Sequence, residues 1–331
     1  MRFLICGWGS IGRRHFRNLR ALGKDDIVFY RTGRGTVGNE EIEDFPVERD
    51  LETALSRYQP DVAIISNPSA LHLKVAIPAA QAGCDLMIEK PLAADIGRID
   101  ELRRAVDEAG VQVLVGYQFR FHPGLQRVKR MLDDGSLGEP VSVRVEWGEY
   151  LPDWHPWEDY RESYSARREL GGGVLLTLSH PFDYLRWLLG GIDRVTGEAA
   201  ASGKLESDVE DVAEVLLSFI AGSLGSVHLD YLRRPPVHRM ELICTSGSIR
   251  WEAARSDIAY CEAGGDWERS EPSQDFERND LFMAEIEHLI AVSNGEATPV
   301  CTLEDGIAAL RIALAARDNQ GALDSAGVRY G

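Results

Sequence analysis

The chain has 331 residues, 44 % of them hydrophobic and 27 % charged, with a formal net charge of −17. That length exceeds what one hydrophobic core usually serves, so two domains are expected. The acidic field argues against nucleic acid and anionic membrane surfaces as partners, and no apolar run approaches the ~20 residues of a membrane helix.

The first third alternates strand and helix signals. Strands are expected at Phe3 to Cys6, Ile27 to Tyr30, Asp61 to Ser66, Leu86 to Glu89 and Val111 to Val115. Helices are expected at Ile11 to Leu22, with Ile11, Leu19 and Leu22 inward, and at Leu51 to Tyr58, Leu71 to Ala82 and Ile96 to Ala109. This alternation predicts a parallel sheet covered on both faces. After about residue 120 the pattern changes. A helix at Pro123 to Leu132 precedes longer strands of alternating polarity: Val141 to Trp147, Val212 to Phe219, Gly225 to Leu232 and Met240 to Cys244. They predict a mostly antiparallel sheet with one solvated or partner-covered face. Further helices are expected at Leu175 to Leu189, Leu281 to Val292 and Leu303 to Arg317. The domains expected are therefore 1–120 and 121–331, with the final helices free to pack back on the first. Cys6, Cys84, Cys244, Cys261 and Cys301 are far apart and form no CxxC pair. Free thiols in a reducing cytoplasm are expected, with no metal site. Met1-Arg2 leads straight into strand-like sequence, so no signal peptide is expected.

Gly7-Trp-Gly9-Ser10-Ile11-Gly12 fits GxGxxG between a strand and a helix, the context of a dinucleotide site. Gly7 permits the tight turn, Gly9 lets the backbone approach a pyrophosphate, and Gly12 lets helix and strand pack closely. The helix N-terminus offers free N–H groups to phosphate. An acid that binds ribose hydroxyls is usual about 20 residues on. Asp25 and Asp26 stand at the wrong end of the second strand, and the correct end carries Arg31 and Arg34. A guanidinium there pairs with a 2′-phosphate, which favours NADP over NAD. Solvated loop arginines are the competing account.

Two segments follow later strands, where ligands of a parallel sheet lie: Asn67-Pro68 with His72, and Glu89-Lys90-Pro91. Lys90 can donate a hydrogen bond and positive charge to an oxygen undergoing hydride transfer. Together with Gln118-Phe-Arg120-Phe-His-Pro123 and Leu170-Gly-Gly-Gly173 followed by His180 and Asp183, these motifs resemble the Gfo/Idh/MocA oxidoreductase family over essentially the whole chain. The resemblance implies an α/β chain: an N-terminal Rossmann doubly wound parallel sheet plus a C-terminal α+β domain with an open, mostly antiparallel sheet. It implies a sugar, cyclitol or nucleotide-sugar hydroxyl as substrate, and a homodimer or homotetramer formed through that sheet. By the same resemblance Asn67, Pro68, His72, Glu89, Lys90 and Gln118 line the cofactor, and Lys90 is also catalytic.

The family's third signature places an acid four residues before the histidine. Here Thr177 or Leu176 stands in that place, depending on the alignment. On one helix Thr177 and His180 share a face, as do His180 and Asp183. His180 remains able to take a hydroxyl proton near neutral pH, and Asp183 is placed to orient it. The stretch from Tyr150 to Arg168 is rich in aromatics. Trp154 and Tyr164 are candidates to stack on a sugar, and Arg120, Arg161 or Arg168 to bind phosphate or carboxylate. An arm packed on the sheet or on a neighbouring subunit is the competing account. The wording of this stretch is similar to oxidoreductases associated with nonulosonic (sialic-acid-like) sugar biosynthesis. Two other functions stay open: NAD-dependent glycoside hydrolysis, and a regulator that binds the dinucleotide without turnover, which the missing acid favours.

Overall fold

The computed structural model describes residues 1–33, 38, 40–156, 158–273 and 275–318. The chain divides into two units, Met1–Tyr117 with Asn279–Ile307, and Gln118–Arg278 with the segment that begins at Ala308.

In the first unit the order is β1 (Phe3–Cys6), α1 (Ser10–Ala21), β2 (Ile27–Tyr30), β3 (Val47–Glu48), α2 (Leu51–Tyr58), β4 (Val62–Ile65), α3 (His72–Gln81), β5 (Asp85–Glu89), α4 (Ile99–Ala109) and β6 (Val113–Gly116). The strands are parallel, in the order β3-β2-β1-β4-β5-β6. Every residue of β1 and β4 is buried, as a sheet covered on both faces requires. The chain steps outward from β1 to β3 and returns beside β1 as β4. That reversal opens a crevice at the carboxyl ends of these two strands. Local chemistry sets the helix ends. The Asp50 carboxylate caps α2 by accepting from Thr53 N at 2.8 Å, and Gly110 closes α4 at φ 68°. The inward face of α1 is Gly12, His15, Phe16, Asn18 and Leu19, while Ile11 and Leu22, expected inward, are half-buried.

The second unit contains α5 (Pro123–Asp133), β7 (Pro140–Gly148), α6 (Val174–Thr177), α7 (His180–Leu189), β8 (Ile192–Ala200), β9 (Val212–Phe219), β10 (Leu224–Asp230), β11 (Val237–Cys244), β12 (Gly247–Glu252), β13 (Ile258–Glu262) and β14 (Glu268–Arg269). The helices α8 (Arg278–Ser293) and α9 (Leu303–Arg317) follow. The strands form one sheet, β14-β13-β12-β11-β7-β10-β9-β8, antiparallel except for the pair β7–β10. Burial alternates along β9 and β10, so one face is core and the other is open. Leu216, Leu224 and Ile243 share the open face and are 62 %, 61 % and 38 % exposed.

The helix expected over Leu175 to Leu189 is two helices, α6 and α7, broken at Leu178 and Ser179. Pro181 explains the break. It has no N–H for the Thr177 carbonyl, and its ring would collide with that carbonyl in a continuous helix. Thr177 ends one helix and His180 begins the next, so they do not share one helix face. His180 and Asp183 remain on α7 together.

Candidate active site

The nucleotide side of the first unit is built largely from backbone. Gly7 has φ +107°, and a Cβ on it would lie 2.6 Å from Asn67 N. A Cβ on Gly12 would lie 2.3 Å from the Gly7 carbonyl oxygen. These two glycines are required by the fold itself. Gly9 differs: a Cβ there would meet nothing within 4 Å. Gly9 caps α1 without a side-chain bond, and the first turn, which holds Ser10 and Ile11, carries no acid. An open glycine before an uncapped helix N-terminus fits a dinucleotide pyrophosphate. Trp8 belongs to the core, with Nε1 donating to Gly38 O (2.9 Å) and its ring against Phe16 and Phe29.

Arg31 follows β2 at its carboxyl end, and its backbone N–H donates to Glu48 O (2.9 Å). Burial draws its guanidinium below the usual value, while Glu40 opposes that shift. Arg34 lies outside the described residues. After β4, Asn67 keeps a buried Oδ1 with no hydrogen-bond partner, and Pro68 leads into the short turn Ser69–Leu71. His72 is buried, with Nε2 2.8 Å from Asn67 O and Nδ1 3.3 Å from Leu92 O. Burial pulls its pKa down, and a neutral ring has one N–H, which the shorter contact assigns to Nε2, donating to Asn67 O within the loop after β4. Glu89 is buried, Lys90 is half-buried, and the Lys90–Pro91 peptide is cis. The Lys90 N–H donates to Glu89 Oε2 (3.2 Å), and Glu89 Oε1 is 2.7 Å from His15 Nε2.

In the second unit the candidate groups are side chains packed on side chains. Gln118 and Arg120 are buried in the turn Gln118–Phe121. Arg120 and Asp183 form a buried two-pronged ion pair, Nε–Oδ2 3.0 Å and Nη2–Oδ1 2.7 Å. Asp183 engages the Arg120 guanidinium within the chain. The pair ties the turn at Gln118 to α7. His180 is 2 % exposed, its ring edge-on to Phe119 at 4.9 Å and tilted against Trp147 at 5.5 Å. On the neighbouring strand His238 stacks flat on Trp147 at 4.1 Å, and its Nε2 lies 3.2 Å from the Tyr184 hydroxyl. Burial holds His238 well below the ordinary imidazole value. His122 accepts at Nδ1 from Gly124 N (3.1 Å) and Trp251 Nε1 (3.2 Å), and burial pulls it down to about 4. Thr177 is buried, and burial raises the phenol of Tyr231 well above its usual value.

The arm from Tyr150 is pinned by Leu151 N to Tyr231 O (3.0 Å) and by the Trp154 ring, edge-on to Tyr231 at 5.6 Å. Tyr164 is half-buried. A Cβ on Gly172 would lie 2.4 Å from the Tyr164 carbonyl, so the glycine run exists to admit this arm. Its arginines are occupied within the chain. Arg161 pairs with Asp159 and Glu206, Arg167 with Glu162 and Glu169, and Arg168 donates to Asp208 O (2.8 Å). Sequence reasoning missed His15, Trp147 and His238. For His15 a signal existed, three residues after Gly12 on the inward stripe of α1.

A family model for an oxidoreductase family with NAD-binding Rossmann fold matches residues 1–117, and one for a GFO/IDH/MocA C-terminal domain matches residues 125–250. A 2,7-anhydro-N-acetylneuraminate hydratase of Mediterraneibacter gnavus is 29 % identical over 271 residues, 80 % of this chain and 68 % of that protein. A myo-inositol 2-dehydrogenase of Thermotoga maritima is 26 % identical over 336 residues, 96 % of this chain and 95 % of its own. Among solved structures, the WlbA dehydrogenase of Chromobacterium violaceum, in complex with NADH and UDP-GlcNAcA, superposes with a TM-score of 0.80. It is 26 % identical, covering 98 % of this chain and 96 % of that one. A levoglucosan dehydrogenase with NADH and levoglucosan has a TM-score of 0.84 at 20 % identity, with 95 % of each chain covered, a likeness of fold.

Proposed function

This chain belongs to the Gfo/Idh/MocA oxidoreductase family, and from that premise we propose that it transfers a hydride between a nicotinamide dinucleotide and a secondary hydroxyl or ketone of a sugar or cyclitol. The observation that carries the proposal is the position of Lys90. It follows β5, two strands from the Gly7–Gly12 loop after β1 in the same parallel sheet. Strand spacing puts these two strand ends about 10 Å apart, the scale on which one dinucleotide can meet both. Gly7, Gly9, Ser10, Ile11 and Gly12 would hold the pyrophosphate, and Asn67, Pro68 and Gln118 would line the nicotinamide end. Bound there, the nicotinamide supplies the two-electron acceptor or donor.

Lys90 Nζ donates to the substrate oxygen and stabilises the charge that develops on it. A ring nitrogen of His180 takes the hydroxyl proton during oxidation and returns it during reduction. Trp154 and Tyr164 offer ring faces to the substrate. The in-chain partners of Arg120, Arg161, Arg167 and Arg168 favour a substrate read by ring faces and hydroxyls over one held by a free arginine. The names of the relatives point to the same class. Arg31 favours NADP. The open sheet face bearing Leu216, Leu224 and Ile243 suits a second copy of the chain, as a homodimer or homotetramer, and the free cysteines suit a reducing cytoplasm. Thr177, standing where the family carries an acid, favours a second reading, binding of the dinucleotide without turnover.

The purified protein is offered a panel of sugars, cyclitols and nucleotide sugars with NAD and with NADP while reduced-cofactor absorbance is followed. Turnover on a ring hydroxyl is expected, with Lys90→Met slower by about 10²- to 10⁴-fold at unchanged thermal stability. Firm cofactor binding with no turnover across the panel would favour the second reading. Full activity in Lys90→Met would remove Lys90 from the reaction.

A further inference from the structure

Behind Lys90, the side chains of His15 on α1, Glu89 at the end of β5 and Glu285 on α8 converge in the interior of the first unit. They are 0 %, 6 % and 1 % exposed. One nitrogen of His15 and one oxygen from each carboxyl lie within 4.8 Å of one another. Glu89 is well served: one oxygen meets His15 Nε2 at 2.7 Å, and the other accepts the Lys90 N–H. Glu285 has no hydrogen-bond partner at either oxygen, and His15 has none at Nδ1.

We propose that His15 and Glu285 are positioning residues for Lys90, acting through the Glu89 carboxylate that binds the Lys90 backbone. This rests on the assignment of Lys90 as the group that donates to the substrate oxygen.

Two carboxylates this close in a dry interior do not both stay charged without a cation. Glu89 meets two polar partners and Glu285 has none, so Glu285 keeps its proton. Burial first, and then the neighbouring Glu89, hold the Glu285 carboxyl well above its ordinary value. With Glu285 neutral, nothing repels the Glu89 carboxyl group that meets His15 Nε2 and the Lys90 N–H, so His15 and Glu285 both act on Lys90 through Glu89. Arg14, next to His15, lies 4.6 Å over the Phe282 ring and donates to Asn279 Oδ1 (2.9 Å).

One histidine and two carboxylates are also a donor set that a divalent cation accepts. A metal-bound imidazole normally donates its other N–H to an acceptor. Coordination through Nε2 would leave the His15 Nδ1–H without one, so the geometry favours the proton.

The test compares thermal unfolding of the wild type and Glu285→Gln between about pH 5 and about pH 8.5, with and without EDTA, and with cobalt(II) as the metal probe. An acid whose value is raised by folding holds a proton that the unfolded chain releases. Wild-type stability therefore falls as pH rises above the carboxyl's ordinary 4.5. Glutamine mimics the neutral acid and does not ionise. The Tm of the variant relative to wild type should thus rise with pH, by about 3 °C or more over the range. A pH-independent deficit in the variant would overturn the proposal. So would EDTA-sensitive stability with stoichiometric cobalt uptake by the wild type. On a substrate turned over in the panel, His15→Leu should lower kcat about tenfold while the dinucleotide Kd stays within about twofold, and His15→Gln, which keeps an N–H toward Glu89, should restore most of it. Equal losses in both His15 variants would reduce the trio to packing. The Glu285→Gln pH result does not depend on catalysis by Lys90, so the two readings fail separately.

Discussion

Lys90 follows a buried parallel strand and is braced from behind by a carboxylate and main-chain groups. His180 opens a helix of the second unit and is braced by the rings of Phe119 and Trp147, with the Arg120–Asp183 pair one turn along. The first arrangement places groups by backbone geometry, because parallel strand ends and glycine turns fix where N–H groups point. The second places them by side-chain complementarity, drawing on residues from the Gln118 turn, β7, α7 and β11. A site built from backbone should break at its glycines and tolerate change elsewhere. A site built from side chains should break at its buried charges and rings.

The largest effect is expected at the ion pair. Arg120→Ala removes the guanidinium from the buried Asp183 carboxylate, which should cost about 3–5 kcal/mol of unfolding free energy. Replacing both partners with Arg120→Met and Asp183→Leu removes both buried charges and should recover a large part of that loss. Denaturant unfolding of the two single variants and the double variant measures the coupling. A single-variant loss below about 1 kcal/mol would mean that the pair is solvated, and the contrast between the two regions would fail on the second side.

The two constructions also differ in how far they could be read from the sequence. The Gly7–Gly12 turn was legible because its glycines answer to local constraints, and α2 because Pro60 follows its end. The strand β8 was not. It carries few apolar residues, and its Gly197 is needed because a Cβ there would lie 2.5 Å from Ala316 O, a contact that no local pattern reports. The break between α6 and α7 was written in Pro181, yet the apolar run from Leu175 outweighed it. Arg120 and Asp183 stand 63 positions apart, so sequence left each free to serve a substrate, and the fold joined them. Glu285 reads locally as a solvated helix acid; only its tertiary surroundings make it a buried one.

A sharper cut through the first side compares two alanines in one loop. Gly12→Ala drives a methyl to 2.3 Å from the Gly7 carbonyl and should destabilise the fold by about 1–3 kcal/mol. Gly9→Ala adds a methyl to open space. Its unfolding free energy should stay within about 0.5 kcal/mol of wild type, while the dinucleotide Kd weakens by about tenfold or more where the pyrophosphate would approach. Unfolding curves and fluorescence titration with reduced dinucleotide separate the two effects. Unchanged affinity in Gly9→Ala would move the phosphate site away from this loop.

The smallest effect lies on the open face of the second sheet, where side chains meet solvent and electrostatics weaken. His228 bridges Glu214 (Nδ1, 2.6 Å) and Asp230 (Nε2, 3.0 Å). The hydrogen bond to Asp230, aided by Glu214, raises its imidazole to about 9. A base raised by folding stabilises the protein fully below its ordinary value near 6.5, and that stability is lost as pH rises through about 9. Glu214 is 68 % exposed, so solvent screening limits the gain to about 1 kcal/mol or less. His228→Gln should therefore be less stable than wild type at about pH 6 and indistinguishable from it at about pH 10, with the gap at low pH narrowing in high salt. A gap that persisted at high pH would assign His228 a packing role, and the open face would then join the core of its unit as a surface held by shape more than by charge.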